Sequence, residues 1–368
     1  MRKILSITIL VLIIGISSYY ISKYSKENVD LSSLHEAMYY RKLGKDLVQC
    51  ELCPRKCILR NRQRGVCGVR ENINGKLYSM NYGKVVAMHL DPIEKKPFFH
   101  FLPGSMAFSI ALPGCNLHCL YCQNWQIAHI SEKEAKHIKY LTPEEVVEKA
   151  IKSGAQSIAY TYSEPVVFYE FMLDTMKIAK KRGLKNVVVT AGYIQKEPLK
   201  ELCKYADAIK VDLKAFNQDF YDRLVSGGDL SKILENLKII KQSGTWLEIV
   251  YLVIPNENDN YNEIRKMARW IKENLGENVP LHFTRFYPMY KLKNLPPTPF
   301  ETLKKAREIA MEEGLKYVYT GNVGDPKTES TYCSDGKIAI KRQGYFIKII
   351  DFKNGKCSNG ENIPGVWN

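Results

Sequence analysis

Three cysteines lie within eight residues of the segment LPGCNLHCLYCQNWQ, at positions 112–126. Cys115, Cys119 and Cys122 have the spacing C-x3-C-x2-C. A cluster of four irons needs four ligands, so three thiolates leave one iron free to bind a small molecule. A zinc ion held by three cysteines and a water is the alternative, although this spacing is unusual for zinc. The spacing therefore predicts a [4Fe-4S] cluster with one open iron.

A second set of cysteines lies upstream, in the segment CELCPRKCILRNRQRGVC. Cys50, Cys53, Cys57 and Cys67 have the spacing C-x2-C-x3-C-x9-C, and four thiolates can complete a zinc site or hold an accessory iron–sulfur cluster. We favour a structural metal such as zinc, because small loop-rich modules often need a metal to fold. A redox-active cluster is the alternative.

The two sets contain seven of the ten cysteines, and this clustering favours metal binding over a disulfide framework. Cys203 lies in the helical pattern KEPLKELCKYA and is expected to be a buried core thiol. Cys357 lies in the loop KNGKCSNG and has no evident partner in the sequence.

From Met106 onward, short apolar runs alternate with amphipathic segments. This alternation is typical of an α/β fold, in which a parallel sheet is built with right-handed crossovers through helices. Six or seven such units favour a full or partial (β/α) TIM-like barrel, and no G-x-G-x-x-G of a dinucleotide-binding sheet follows the first strand. The predicted strands are AFSIAL, QSIAYTY, KNVVVTA, DAIKVDL, WLEIVYLVI, PLHFTRF and KYVYTG.

Candidate site residues follow the predicted strands, because the active site of a barrel lies at the carboxyl ends of its strands. His282, within PLHFTRF, is instead expected to be a hydrogen-bonded core residue, with a substrate-facing role as the alternative. The candidates are the three-cysteine loop, Ser163, Glu164, Pro165, Thr190, Gly192, Asp212, Lys214, Pro255, Asn258 and Asp259.

The three-cysteine segment resembles the signature of the radical S-adenosylmethionine (SAM) enzymes, in which an aromatic residue, here Tyr121, precedes the last cysteine. The resemblance implies that the amino and carboxylate groups of SAM chelate the open iron. It also implies that the reduced cluster cleaves SAM to methionine and a 5'-deoxyadenosyl radical, which abstracts a hydrogen atom. Because the cofactor carries the radical, no protein residue is expected to be the catalytic group.

The same resemblance implies which residues contact SAM. Tyr162-Ser163-Glu164-Pro165 stands where the family has a Gly-Gly-Glu-Pro-like turn, so Glu164 is the expected acceptor of the SAM amino group, although both glycines are replaced. A helix cap is the alternative interpretation of this turn. Thr190 begins TAGY, where related enzymes often have Thr-Asn-Gly, and Ala191 replaces the asparagine.

Two later segments resemble the glycyl-radical-activating enzymes. Asp212-Leu213-Lys214 matches their D-L-K segment, and VIPNENDN is similar to the turn near the SAM ribose. A helix cap is again the alternative for that turn. The full set of implied cofactor contacts is Tyr121, Ser163, Glu164, Thr190, Asp212, Lys214 and Asn258.

The order of the motifs over residues 34–344 is similar to that of the radical SAM member of the AmmeMemoRadiSam system, which is related to pyruvate formate-lyase activating enzymes. This order is C-x-L-C-P-R-x-C, PGCNLHCLYCQNW, YTYSEP, LHFTRFYPMY, YVYTGNV and TYC. The resemblance implies a protein substrate and a reductant protein such as flavodoxin or ferredoxin. Those proteins often continue from the equivalent of Cys333 as C-P-x-C, and this chain does not, so a C-terminal metal knuckle is not expected.

An apolar run from Ile4 to Ile21 follows Arg2 and Lys3. Its length lies between that of a signal peptide core and a membrane span, and more positive charge follows the run than precedes it. We therefore expect a single-pass membrane anchor with the catalytic domain in the cytoplasm, with export after signal cleavage as the alternative.

These observations predict four segments: an anchor or signal at 1–28, a Cys-rich module at 29–100, the barrel at 101–325 and a C-terminal hairpin and tail at 326–368. The formal charge is +15, but lysines are scattered along the chain, so a solvated surface explains them better than a nucleic-acid partner. The alternative functions are an iron–sulfur electron carrier or a metal-stabilised nucleic-acid-binding protein, since the arginines beside Cys50–Cys67 could bind nucleic acid.

Overall fold

The computed structural model describes residues 34–135 and 138–368. The chain divides into two compact units, Met1–His35 and Glu36–Asn368, and apart from His35, the first residue of β1, the elements and site described below belong to the second. The strands are β1 (His35–Glu36), β2 (Tyr40–Lys42), β3 (Leu47–Cys50), β4 (Ile58–Arg60), β5 (Arg70–Ile73), β6 (Lys76–Ser79), β7 (Lys84–Val85), β8 (Ala87–Pro92), β9 (Met106–Ala111), β10 (Lys139–Tyr140), β11 (Ser157–Tyr160), β12 (Lys185–Thr190), β13 (Ala208–Asp212), β14 (Trp246–Val253), β15 (Leu281–Arg285), β16 (Val318–Gly321), β17 (Thr331–Tyr332), β18 (Ile338–Gln343) and β19 (Phe346–Ile349).

The α-helices lie mainly between the strands of the largest sheet. Two 3-10 helices, Ile93–Lys95 and Pro165–Phe168, complete the helical elements of the described residues. The α-helices are α1 (Trp125–Ala128), α2 (Pro143–Lys152), α3 (Tyr169–Lys181), α4 (Lys196–Cys203), α5 (Gln218–Arg223), α6 (Leu230–Ser243), α7 (Tyr261–Leu275), α8 (Phe300–Glu312) and α9 (Pro326–Glu329).

The largest sheet has eight strands in the order β16-β15-β14-β13-β12-β11-β9-β8. All seven predicted strands are confirmed, and they are mutually parallel, so their carboxyl ends lie along one edge. Strands β8 and β16 are the two edge strands of this sheet. The sheet therefore matches the partial form of the predicted barrel. The antiparallel strand β8 was not predicted as part of this sheet.

A local sequence signal accounts for the start of α2. Thr142 caps α2, because its hydroxyl accepts a hydrogen bond from Glu145 N at 3.2 Å while the Glu145 side chain accepts one from Thr142 N at 2.8 Å. This capping box is the one expected from the TPEE sequence. The buried side of α2, with Val146, Val147 and Ala150, belongs to the same apolar core as the strands of the sheet.

The N-terminal cysteine segment is built on a small antiparallel sheet, β2-β3-β4. A buried ion pair links the neighbouring strand β5 to helix α3: Arg70 Nη2 lies 3.0 Å from Glu170 Oε1, and both side chains are almost fully buried. A buried pair of this kind stabilises the fold only while both partners are present, since either charge alone is costly to bury.

The C-terminal tail forms the predicted hairpin from β18 and β19, with Gly344 at φ +61° in its turn, and β17 adds a third strand. Cys357, for which the sequence offered no evident partner, forms a disulfide with Cys333 across 24 residues. The sequence contained no spacing signal that linked these two cysteines.

The predicted membrane location is withdrawn. Within residues 34–135 and 138–368, no helix combines the length and apolar character needed to cross a bilayer. The apolar run on which the expectation of an anchor or signal was based lies outside the described residues.

His100 is buried where the tail meets the sheet. Its Nδ1 lies 2.7 Å from the carbonyl oxygen of Pro364, and its Nε2 lies 2.6 Å from the hydroxyl of Tyr319. Because a carbonyl oxygen only accepts, Nδ1 carries a proton, and in the neutral ring Nε2 then accepts from the Tyr319 hydroxyl. Burial lowers the pKa of His100 to about 4.

This histidine predicts a pH dependence of stability. The unfolded chain protonates His100 near pH 6.5, but the folded protein does so only near pH 4, so the unfolded state binds more protons between these values. The free energy of unfolding should therefore fall as the pH is lowered from 6.5 to 4, by about 3 kcal/mol from this group. Urea denaturation at several pH values should show a shallower slope for His100→Gln than for the wild type. An identical slope would contradict the assignment, and His89→Gln serves as the control that keeps the slope.

Candidate active site

The three-cysteine loop follows β9 and is fastened to two other loops. Backbone hydrogen bonds join His118 N to Val225 O at 3.1 Å and Leu120 N to Leu224 O at 2.9 Å. The Asn116 side chain donates to Tyr193 O at 2.8 Å, beyond the end of β12. The loop is therefore held by the segment after β12 and by the segment after α5.

Gly114, directly before Cys115, allows the three-cysteine loop to pack closely against the upstream cysteine segment. It has φ +105°, and a Cβ atom there would lie 2.9 Å from Cys67 O and 2.8 Å from Val69 Cγ2. A side chain would thus require both an unfavourable backbone conformation and displacement of a neighbouring main chain. The two cysteine segments pack directly against each other at this glycine.

The three thiols of the loop are brought near one another. Burial raises the pKa of Cys115 and Cys119, and it raises that of Cys122 to about 11. The proximity of Glu164 and of the other two sulfurs raises the pKa of Cys115 further. Such thiols become thiolates readily only when a cation binds them, which fits the donor set to an iron centre.

Glu164 and Thr190, predicted from separate strand ends, are in contact. Thr190 Oγ1 donates to Glu164 Oε1 at 2.6 Å, and Ala191 N donates to Glu164 Oε2 at 2.9 Å. Val166 N also donates to the carboxylate, at 3.2 Å, so Glu164 caps the 3-10 helix Pro165–Phe168. Burial raises the pKa of Glu164, while these hydrogen bonds act in the opposite direction.

The turn before Glu164 has a conformation that favours glycine. Tyr162 has φ +67°, in the left-handed region, at a position where the resemblance expects glycine. Ser163 donates its hydroxyl hydrogen to Leu112 O at 2.5 Å, and Asn124 Nδ2 donates to Tyr162 O at 2.9 Å. The turn therefore keeps the glycine-like backbone, and it is tied to both ends of the three-cysteine loop.

Asp212 lies between two lysines. Lys210 Nζ contacts Asp212 Oδ1, and Lys214 Nζ lies 3.2 Å from Asp212 Oδ2. Burial acts to raise the pKa of Asp212, but the two ammonium groups outweigh it and lower the pKa to about 2. Lys210 was missed by the sequence analysis, although its place two residues before Asp212 in a strand puts both on one face.

Asn258 and Tyr121, the other two residues that the resemblance assigns to SAM, are held by contacts within the protein. Asn258 is buried; its Oδ1 accepts from Ile254 N at 2.6 Å, and its Nδ2 donates to Lys214 O and Leu252 O, both at 2.8 Å. Asn258 thereby joins the turn after β14 to the segment that carries Lys214. Tyr121 is also buried, with its ring centroid 5.8 Å from that of Phe220.

A second charged group faces the turn from β8. Asp91 accepts hydrogen bonds from Lys95 Nζ at 2.8 Å, from Lys96 Nζ at 2.7 Å and from the Tyr162 hydroxyl. Lys96 is almost fully buried, with Nζ 4.1 Å from the centroid of the Tyr162 ring. Burial lowers the pKa of Lys96 to about 8. The sequence analysis missed this group because β8 was not placed in the sheet.

His282 is a core residue, as expected. It is 1% exposed, and its Nε2 lies 2.7 Å from Glu248 Oε2. Cys203 is only partly buried, but it packs against the main core as the sequence suggested.

The four upstream cysteines also converge. Cys50, Cys53, Cys57 and Cys67 line one cavity, whose other walls include Asn116 of the three-cysteine loop and Val166 of the turn after Glu164. In the described parts of the chain, no group of three or more His, Cys, Asp or Glu side chains is arranged to hold a single metal ion.

Comparison with known proteins identifies the fold that carries this site. Residues 109–271 match the model of the radical SAM superfamily. The chain contains a radical SAM superfamily domain. A radical SAM methyltransferase from Sphaerobacter thermophilus, at 14% identity and a TM-score of 0.50, shares the fold over 83% of this chain and 84% of its own.

Two relatives differ widely in their sequence identity to this chain. An uncharacterised protein of Methanocaldococcus jannaschii is 48% identical over 337 residues, which cover 90% of this chain and all of that protein. The pyruvate formate-lyase-activating enzyme of Clostridium pasteurianum is 26% identical over 223 residues, or 55% of this chain and 87% of its own. The similarity to activating enzymes is therefore distant.

The packing at Gly114 predicts a large loss of stability on substitution. Gly114→Ala should lower the free energy of unfolding by about 2–3 kcal/mol, because backbone strain adds to a clash with Cys67 O. Gly154→Ala is the matched control: Gly154 has φ +73°, but a Cβ there meets no atom within 4 Å, so the loss should be about 1 kcal/mol. Urea denaturation measures both, and equal losses would show that Gly114 is not a close-packing position.

Proposed function

We propose that this radical SAM protein holds a [4Fe-4S] cluster on Cys115, Cys119 and Cys122 and binds SAM at the open iron. The observation that carries the proposal is that the loop of the three thiols, after β9, is hydrogen-bonded at both ends to the turn that carries Glu164, after β11, through Ser163 to Leu112 O and Asn124 to Tyr162 O. With SAM bound, a reduced cluster of this kind supplies one electron to the sulfonium, giving methionine and a 5'-deoxyadenosyl radical that abstracts hydrogen.

The residues around the thiols are suited to holding the zwitterionic end of SAM. Glu164 is a buried carboxylate that Thr190 and Ala191 orient, so it presents negative charge to the SAM ammonium. Lys214, oriented through Asp212, supplies positive charge near the same edge. Ser163 and Tyr121 lie in the two segments that enclose this position, and Asn258 holds the turn expected near the ribose.

The substrate that we propose is a protein, by analogy with the activating enzymes. The motif order also leads us to propose membership of the AmmeMemoRadiSam system, and flavodoxin or ferredoxin as the source of the electron. Cys50, Cys53, Cys57 and Cys67 are proposed to hold a second metal centre, either zinc or an iron–sulfur cluster.

Two variants test the SAM assignment. After anaerobic reconstitution with iron and sulfide, the wild type should form 5'-deoxyadenosine from SAM under strong reductant, and Cys119→Ala should form none because a cluster ligand is lost. Glu164→Gln should weaken SAM binding by about 10- to 100-fold, since a charge-assisted hydrogen bond is lost, with its iron content unchanged.

The matched control is Glu148→Gln, whose half-exposed carboxylate pairs with Arg182 on the surface. It should bind SAM as the wild type does. A wild-type protein that holds the reduced cluster but forms no 5'-deoxyadenosine would overturn the proposed function.

A further inference from the structure

Apolar side chains, as well as the four upstream cysteines, line the cavity of those cysteines. Leu52, Val166 and Val167 line it together with Cys50, Cys53, Cys57 and Cys67. A zinc ion with four thiolates touches only its sulfurs, whereas a cubane also presents sulfide faces to the surrounding side chains. An apolar wall next to the thiols therefore suits the larger group.

Gly65 lies beside two of the sulfurs. A Cβ atom at this position would lie 3.7 Å from Cys57 Sγ and 3.7 Å from Cys67 Sγ. The glycine thus keeps the space beside both sulfurs free of a side chain.

A buried hydrogen-bond donor also lines this cavity. Arg70 is 2% exposed, and its two terminal nitrogens bond to Glu170 and to Met38 O. Its Nε has no hydrogen-bond partner among the described residues. Since a buried N–H without an acceptor is costly, the cavity calls for an occupant that accepts a hydrogen bond, as thiolate and sulfide sulfurs do.

A second guanidinium, that of Arg55, lines the same cavity. Its hydrogen bonds go to backbone oxygens, at 2.6 Å to Asn116 O and 2.5 Å to Ser226 O. Four thiolates around a [4Fe-4S] core carry net negative charge, which the positive charge of Arg55 offsets.

The cavity is lined by residues of two segments that also form the proposed SAM site. Asn116 lines it and is bonded through the main chain to Cys115, and Val166 lines it two residues after Glu164. The main-chain oxygen of Cys67 is in close contact with Gly114, next to Cys115. The two cysteine segments are thus in contact, which is a suitable arrangement for electron transfer.

We propose that Cys50, Cys53, Cys57 and Cys67 hold a second [4Fe-4S] cluster, that Arg70 Nε donates to one of its sulfurs, and that it passes electrons to the first cluster. In each transfer the second cluster is oxidised by one electron and the first is reduced by one. A low-potential reductant protein then reduces the second cluster again. The transfer role rests on the proposed SAM function, but the presence of the second cluster does not.

Iron and sulfide analysis of the reconstituted full chain tests the second cluster. The wild type should contain about eight irons and eight sulfides, and the Cys53→Ala/Cys57→Ala variant about four of each. The matched control Cys119→Ala/Cys122→Ala should also retain about four. A wild type with four irons and one zinc, or an upstream variant with the same iron content as the wild type, would overturn the proposal.

Single-turnover chemistry tests the electron transfer. Protein reduced beforehand, freed of excess reductant and mixed with SAM should form up to about two equivalents of 5'-deoxyadenosine per chain, because each cluster stores one electron. The upstream double variant should form no more than one. Equal yields from both proteins would overturn the transfer role, whereas no product from either would count against the SAM function alone.

Arg70→Lys tests the hydrogen bond. Lysine keeps a positive charge near Glu170 but lacks Nε–H, so the midpoint potential of the second cluster should become more negative while that of the first stays unchanged. An unchanged potential for the second cluster would show that Arg70 does not donate to it.

Discussion

The buried carboxylate of Glu164 fixes the turn on which the rest of the site depends. Thr190 and Ala191 donate to it from the end of β12, and Val166 donates from the 3-10 helix that follows. One side of this turn faces the three-cysteine loop, and the other side closes the cavity of the four upstream cysteines. A buried charge that holds three donors cannot shift without losing them, so both cysteine sets are positioned against one rigid element.

Two groups of ion pairs, at Asp91 and Asp212, lie near this turn or at the same sheet. Asp91 and Asp212 each bind two lysines, and in both groups one lysine is almost fully buried, Lys96 and Lys210 respectively. Each group thus carries one more positive than negative charge. At Asp212, which ends β13, this excess favours anionic groups at the carboxyl edge of the sheet, such as the carboxylate of SAM and the thiolates of a cluster. The group at Asp91 lies opposite Ala107, near the amino end of β9.

Much of this arrangement was predictable from local sequence patterns. Alternating apolar runs located the parallel strands, and because such strands end at one edge, Glu164 and Thr190 were both expected at that edge. Long-range features were not predictable in this way. The contact of Asp91 with Tyr162 requires β8 to join the sheet antiparallel, and the Cys333–Cys357 disulfide depends on how the tail folds back. No spacing within the sequence encodes either pairing.

The central claim is that three thiols leave one iron of the first cluster open to SAM. Electron paramagnetic resonance of the reduced protein with and without SAM tests this most directly, in the upstream double variant that contains the first cluster alone. If one iron is open, SAM should bind it and change the spectrum of this cluster. An identical spectrum in saturating SAM would mean that the protein ligates every iron, and it would contradict the claim.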